Sequence, residues 1–321
     1  MPVKRNTKML PRALLLKPEY RDYVWGGQRL RPGTLTAEAW VVHEGDFIAS
    51  GPLAGQTLAE VAAQHGAALL GQTVVDRRGL RFPLLIKLLD CAQWLSLQVH
   101  PNDQQAIQLE GPGQNGKTEA WYILDSAPDA KIIAGLKPGT TADGLARAIR
   151  EGTILDVSQY VPVQTGDTVF MRAGTIHALG PGLLVYEVQQ TSDITYRVFD
   201  WNRPQTASRV LHIDKSLAVA DPAASSQALS CPTLQDGERR RLCQSEYFTL
   251  EVLSAQKQTI ELNTESQSFH TLTVIEGSVC FSSGDENISL GKFESLIVPA
   301  STGAYNLEPR GDGFRVLKSS L

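Results

Sequence analysis

The chain has 321 residues, 42% hydrophobic and 20% charged, with a net charge of −4. That length accommodates two β-rich domains, and Lys and Arg spread along it suggest neither a nucleic-acid nor a membrane-surface partner. Cys91, Cys231, Cys243 and Cys280 are scattered without CxxC spacing, which argues against a disulfide framework and a thiolate zinc site and fits reduced thiols in a cytoplasmic setting.

The segment Met1 to Lys17 is basic, and its only apolar run is Ala13 to Leu16. That run is too short for a signal-peptide core or a bilayer span, so a cytoplasmic location is expected. Thr57 and Glu60 form a capping-box pattern before Leu58, Val61, Ala62 and Leu69, which predicts a helix. Short apolar or alternating runs then predict strands at Phe82–Leu89, Trp94–His100, Ala120–Leu124 and Lys131–Leu136. A second helix is expected from Thr141 to Arg150, followed by strands at Thr168–Arg172 and Leu183–Gln190 and a short helix over Lys215–Val219 capped by Asp214. Residues 221–240 hold Pro222, Pro232 and Gly237 and run into three consecutive arginines, Arg239 to Arg241, and read as a linker. Beyond them strands are expected at Phe248–Leu253, Thr271–Ile275, Ser278–Phe281 and Ser295–Val298, with Ile275–Val279 as a hairpin. The pattern is mainly β with a small helical insertion, as in antiparallel barrels.

Two stretches carry chemistry. In Leu95-Ser96-Leu97-Gln98-Val99-His100, period-two alternation puts Ser96, Gln98 and His100 on one face. A solvated edge would show Lys or Glu there, so a face turned into a barrel is the alternative to a surface strand. Lys117, Glu119 and Trp121 share a face further on, as do Asp193, Thr195 and Arg197. The second stretch, Gly166 to Leu179, places His177 just after a Gly174 turn at the end of a short apolar strand.

This second string resembles the second conserved motif of cupins, with Arg172 where proline is usual. Gln98-Val99-His100-Pro101-Asn102 is similar to the zinc-binding segment of type I mannose-6-phosphate isomerases. Tyr23 to Gly27, Glu38-Ala39-Trp40, Phe82 to Lys87, Gly116 to Tyr122, Glu187 to Asp193 and Tyr196 to Asp200 continue that resemblance, which covers about residues 20 to 215 in the short bacterial form. It implies two cupin-type jelly-roll β-barrel domains: a catalytic metal-binding domain over 1–220, a linker at 221–240, and a C-terminal cupin-like domain over 241–321. In the last, Gly291 to Ala304 imitates the Gly166 to His177 string, but Ala304 stands where the histidine would be, so no metal centre is expected there.

The resemblance further implies one zinc ion per chain on Gln98, His100, Glu119 and His177, and interconversion of mannose 6-phosphate and fructose 6-phosphate. Mixed nitrogen and oxygen ligands suit zinc, although ligand types alone leave Mn, Fe, Co and Ni open. Arg197 suits phosphate or sugar oxygens through its planar fork; it, Lys117 and Asp193 are the expected catalytic groups, with Asp193 and Lys117 both open as the proton-transfer base. Ser96 and Lys87 are the expected substrate contacts. The expected partner is a small-molecule sugar phosphate, with monomer and homodimer both open. A metal-dependent cupin oxygenase and a non-catalytic sugar-phosphate-binding cupin are the competing readings. His43, His65, His212 and His270 read as surface or satisfied core residues, and Trp25 and Glu38 as pocket-rim or packing residues.

Overall fold

The computed structural model describes residues 9–204, 206 and 209–321; the first eight residues of the basic N-terminal segment lie outside that description. The chain is mainly β, with sheets of nine, seven and five strands among the described residues and short helices between them. It forms two compact units that interleave along the sequence. One comprises residues up to Glu19, Trp40–Ile86 and Pro232–Leu321; the other comprises Tyr20–Ala39 and Lys87–Cys231. The N-terminus joins the C-terminal part because Leu14–Lys17 pairs antiparallel with Ser295–Val298, Leu14 lying opposite Ile297.

In the first unit two long strands, His270–Ser283 and Ala304–Ser320, run antiparallel. Ile275–Val279 is therefore not a hairpin but a bend within one strand. Gly277 has φ 68°, and a Cβ there would lie 2.0 Å from the Gly313 carbonyl oxygen, so only glycine lets the two backbones close at the bend. Leu272, Val274, Phe281, Leu296, Leu307 and Val316 fill the core between the strands. The helix Leu58–His65 carries the expected capping box: Thr57 Oγ1 accepts from the Glu60 amide, and the Glu60 carboxylate accepts from the Thr57 amide.

The seven-stranded sheet runs in the order Ala228–Ser230, Asp167–Met171, Glu119–Ser126, Leu183–Gln190, Leu84–Cys91, Glu38–Val42 and Glu19–Arg21. The five-stranded sheet of the second unit runs Tyr196–Phe199, Leu97–Val99, His177–Leu179, Lys131–Leu136 and Ser158–Pro162. Residues 221–240 are partly strand: Leu229 pairs opposite Thr168, and Glu238–Gln244 pairs with Thr249–Ala255. Leu97, Val99, Ile133, Ile176, Tyr196 and Val198 share one core cluster. Each such side chain contributes roughly 1.5–3 kcal/mol of burial, which fixes the register and commits Gln98 to the opposite face.

Alternation begins only at Leu97. Leu95 precedes the strand, held by its amide to the Leu179 carbonyl and by the Trp201 indole to its own carbonyl, and packs with Trp25 and Leu89 instead. A helix at Asp103–Glu110 is an addition to the expected elements: Asn102 Oδ1 accepts from the Gln105 amide at 2.9 Å, and Gln105 Oε1 accepts from the Asn102 amide at 3.0 Å. The helix Ile213–Val219 starts after His212, with Asp214 in its first turn and no side-chain cap. Among the described residues no helix is long and apolar enough to cross a membrane.

Candidate active site

The five-stranded sheet lays out one row of polar groups. Gln98 lies opposite His177 on one neighbour and opposite Arg197 on the other. On the facing strands Glu119 pairs opposite Gln189 and Met171, and Trp121 opposite Glu187. His100 follows the Leu97–Val99 strand, and its carbonyl accepts from the Gly174 amide at 2.8 Å, which ties the turn before His177 to the first histidine's backbone. Gly174 takes φ 86°. Arg172, in the usual place of proline, meets Asp221 at 2.9 Å, so an ion pair braces that turn where a ring would.

Both imidazoles are anchored through Nδ1: His100 donates to the Ile194 carbonyl and His177 to the Thr175 carbonyl, each at 2.8 Å. With the proton held there, each Nε2 carries its lone pair inward. Both lone pairs face Glu119, at 3.7 Å from His100 and 3.3 Å from His177. The three residues are fully buried, and one ligand atom from each lies within 4.8 Å of the others. Gln98 Nε2 sits 3.5 Å from His100 Nε2 and 3.3 Å from His177 Nε2; a half-turn of the amide puts Oε1 in its place. Neither Glu119 oxygen accepts a well-aligned hydrogen bond, although Lys117 Nζ stands 3.0 Å from Oε2.

Two inward lone pairs, an amide oxygen within a half-turn, and a buried carboxylate with both oxygens unsatisfied fit a divalent cation. Without one, the carboxylate alone costs several kcal/mol. Burial, then Lys117, holds His100 well below the usual imidazole range, and burial takes His177 down to about 4. Both stay neutral at physiological pH, as ligation requires. Burial and the charge of Glu187 raise the Glu119 carboxyl above its ordinary range, with Lys117 opposing.

A cavity of about 500 Å³ opens beside this cluster. Lys87, Ser96, Gln98, Lys117, His177, Asp193 and Arg197 line it, while His100 and Glu119 lie behind its wall. Asp193 is exposed at the mouth; Lys87 and Lys117 are buried. Lys87 Nζ stands 3.7 Å from Glu38 and 3.5 Å from Glu187. Burial would depress its ammonium, but the two carboxylates outweigh this and hold it charged. Arg197 Nε donates to Ser96 Oγ at 3.2 Å, and the Ser96 hydroxyl leans to Gln98 Oε1 at 3.5 Å.

The structure adds groups that the strand patterns did not single out. Glu187 lines the cavity; its Oε2 accepts from the Trp121 indole at 2.9 Å, and its Oε1 has no hydrogen bond. Burial acts to raise this carboxyl, but Lys117 and Lys87 lower it on balance. A single acid in the otherwise buried Leu183–Gln190 strand was the signal for it. Tyr23, Arg209 and His212 also line the cavity, as do Trp25 and Glu38, the two residues read as pocket-rim or packing groups.

A mainly β chain that gathers two histidines and a glutamate beside a cation-lined cavity has the make-up of a metal-dependent cupin enzyme. The sequence matches "Phosphomannose isomerase type I, catalytic domain" over residues 14–122 and "Mannose-6-phosphate isomerase, cupin domain" over residues 238–317. It is 33% identical to mannose-6-phosphate isomerase ManA of Bacillus subtilis (strain 168), over 94% of this chain and 97% of that one. It is 32% identical to the mannose-6-phosphate isomerase of Streptococcus mutans, over 92% and 95% respectively. The crystal structure of the Bacillus subtilis mannose 6-phosphate isomerase superposes with TM-score 0.85 at 31% identity, covering 97% of this chain and all of that one. The chain belongs to the type I mannose-6-phosphate isomerase family and is an enzyme of the isomerase class.

Proposed function

We propose that the chain interconverts mannose 6-phosphate and fructose 6-phosphate by proton transfer between C1 and C2 through an enediol, with one zinc ion held by Gln98, His100, Glu119 and His177. The observation that carries this reading is the pair of imidazoles pinned through Nδ1 to backbone carbonyls, with both lone pairs facing a carboxylate that has no aligned hydrogen bond. When bound, the ion supplies a Lewis acid for the negative charge that develops on the carbonyl oxygen, without redox change.

The chain's own residues do the rest. Ser96 and Arg197 grip sugar oxygens along one wall, with Arg197 pre-aimed by its bond to Ser96. Lys117, desolvated and 3.0 Å from Glu119, places positive charge where an enediolate would form. Lys87 pairs with both Glu187 and Glu38 in the cavity lining. The proton moves on a cavity-lining group: Asp193 reaches it from the mouth, and Lys117 from the wall. The polyhydroxylated, anionic substrate accounts for alternating cations and carboxylates, which an oxygenase pocket for an apolar substrate would lack.

A coupled assay from mannose 6-phosphate to fructose 6-phosphate, with and without chelator, tests the reading. Turnover that chelation abolishes and zinc restores is the expected result. Tight sugar-phosphate binding with no turnover in metal-loaded protein would sink it.

A further inference from the structure

The chain leaves the strand Tyr196–Phe199 through a strained turn. Trp201 takes φ 54° and Asn202 φ 57°, two consecutive residues other than glycine in the left-handed region. Such a backbone is costly and persists only where its surroundings hold it. Glycine at either position would remove that cost, so the tryptophan answers another need.

The hydrogen bonds of the turn show what that need is. The Trp201 indole donates to the Leu95 carbonyl at 2.7 Å. Arg203 donates to the Trp94 carbonyl at 2.8 Å and to the Gln93 side chain at 3.1 Å, and is itself held by Asp200 at 3.1 Å. The Trp201 ring lies stacked on that of Trp94, with centroids 4.8 Å apart and planes at 27°, and Phe199 meets it edge-on at 5.5 Å.

These contacts fall where strand pairing stops. Phe199 lies opposite Leu97, the last pair of its ladder, and the Leu97–Val99 strand begins there. The carbonyls of Trp94 and Leu95, just outside the strand, find their partners in side chains of this one turn. Ser96 therefore stands between two anchors, the turn before it and the ladder after it. Its buried hydroxyl accepts from Arg197 Nε at 3.2 Å and leans to Gln98 Oε1 at 3.5 Å, and both of those residues line the cavity.

We infer that Trp201 is a positioning residue: its indole donor, acting through the Leu95 carbonyl, fixes Ser96 and with it the aim of Arg197. The role rests on the isomerase reading above. Trp201 is not among the residues that line the cavity, so it acts only through the strand it holds. Strain kept in the turn returns the indole to that strand, and small displacements of a group that orients substrate are felt in the rate.

Trp201→Phe keeps a ring to stack on Trp94 and removes the donor. In full-length, zinc-loaded protein acting on mannose 6-phosphate, its kcat falls about three- to tenfold, the equivalent of one hydrogen bond, while KM changes by less than about twofold. Ser96→Ala also lowers kcat, and in that background Trp201→Phe has little further effect, because both changes act through one hydroxyl. Hydrogen exchange of the segment Trp94–Val99 quickens in folded Trp201→Phe protein, and that of Leu183–Gln190 does not. A folded Trp201→Phe protein with unchanged kcat overturns the assignment, as do losses that multiply in the double variant, the mark of a merely structural role. If Trp201→Phe fails to fold, Arg203→Gln removes the neighbouring tie to the Trp94 carbonyl, and a normal rate in that variant overturns the assignment. Should the wild type not turn over mannose 6-phosphate, the isomerase reading fails by itself. Exchange at Trp94–Val99 in the folded variant then decides the positioning role: quickening confined to that segment upholds it, and no change overturns it.

Discussion

His100 and His177 share an orientation because two carbonyls, those of Ile194 and Thr175, each hold one ring proton. Their roles and those of Arg197 separate by substitution. Glu119→Gln removes the one carboxylate that, among the described residues, pairs with both Nε2 atoms, so metal affinity falls by more than about tenfold and turnover falls with it. Arg197→Ala keeps all three of those side chains, so the protein retains its metal while most turnover is lost. Metal content by atomic emission, read beside kcat, distinguishes the two; an Arg197→Ala enzyme of near-normal rate removes that residue from the machinery. The sequence displayed His177 openly, since glycine and strand fixed its place. Glu187 showed only as a lone acid in an apolar strand; its place opposite Trp121 on the neighbouring strand is a pairing that no local pattern encodes.

At the scale of elements, the helix Asp103–Glu110 braces the site. Asp103 Oδ1 accepts from the Gly116 amide and from the Gln190 side chain, both at 2.8 Å, and the Lys117 amide donates to the Pro101 carbonyl at 2.9 Å. The turn before this helix and the loop before Lys117 therefore hold each other. A Cβ on Gly116 would fall 2.5 Å from the Asn102 carbonyl carbon, which is backbone and cannot yield cheaply. Asn102→Ala should cost about 1 kcal/mol of stability through loss of the cap, with little change in KM. Gly116→Ala should displace Lys117 and lower kcat by more than Asn102→Ala does; chemical denaturation and initial rates on both variants check the contrast, and equal kcat values would refute it. This helix was legible only as Asn102 and Gln105 at capping-box spacing, because its buried face is a single alanine, Ala106. Strands, by contrast, were legible wherever Gly or Pro bounded an apolar run. The Ile275–Val279 turn signal misled, since Gly277 there serves a bend inside a strand.

The whole molecule interleaves two units that a reading in chain order divides near residue 220, because pairing between Leu14 and Ile297 leaves no mark in either segment. Both units bury histidines. His270, beside Tyr305 at 2.8 Å in the first unit, is taken down to about 3 by burial, then Lys318 and Arg239; His177 in the second is taken down to about 4 by burial. A histidine whose folded pKa is depressed takes up protons more readily when unfolded. Stability is therefore full above about pH 6.5 and declines as pH falls through the window below it, by about 1.4 kcal/mol per unit per group. Glu119 acts in the opposite sense in metal-free protein. Its carboxyl is raised, so it keeps a proton that ligation must expel. Acidification consequently weakens metal binding while it favours the metal-free fold at this one residue. The melting temperature of zinc-loaded protein should exceed that of chelated protein by a margin that shrinks as pH is lowered from about 8 to about 5. A margin constant across that range, measured by calorimetry on both forms, would mean that metal binding displaces no proton from the His100, Glu119 and His177 cluster.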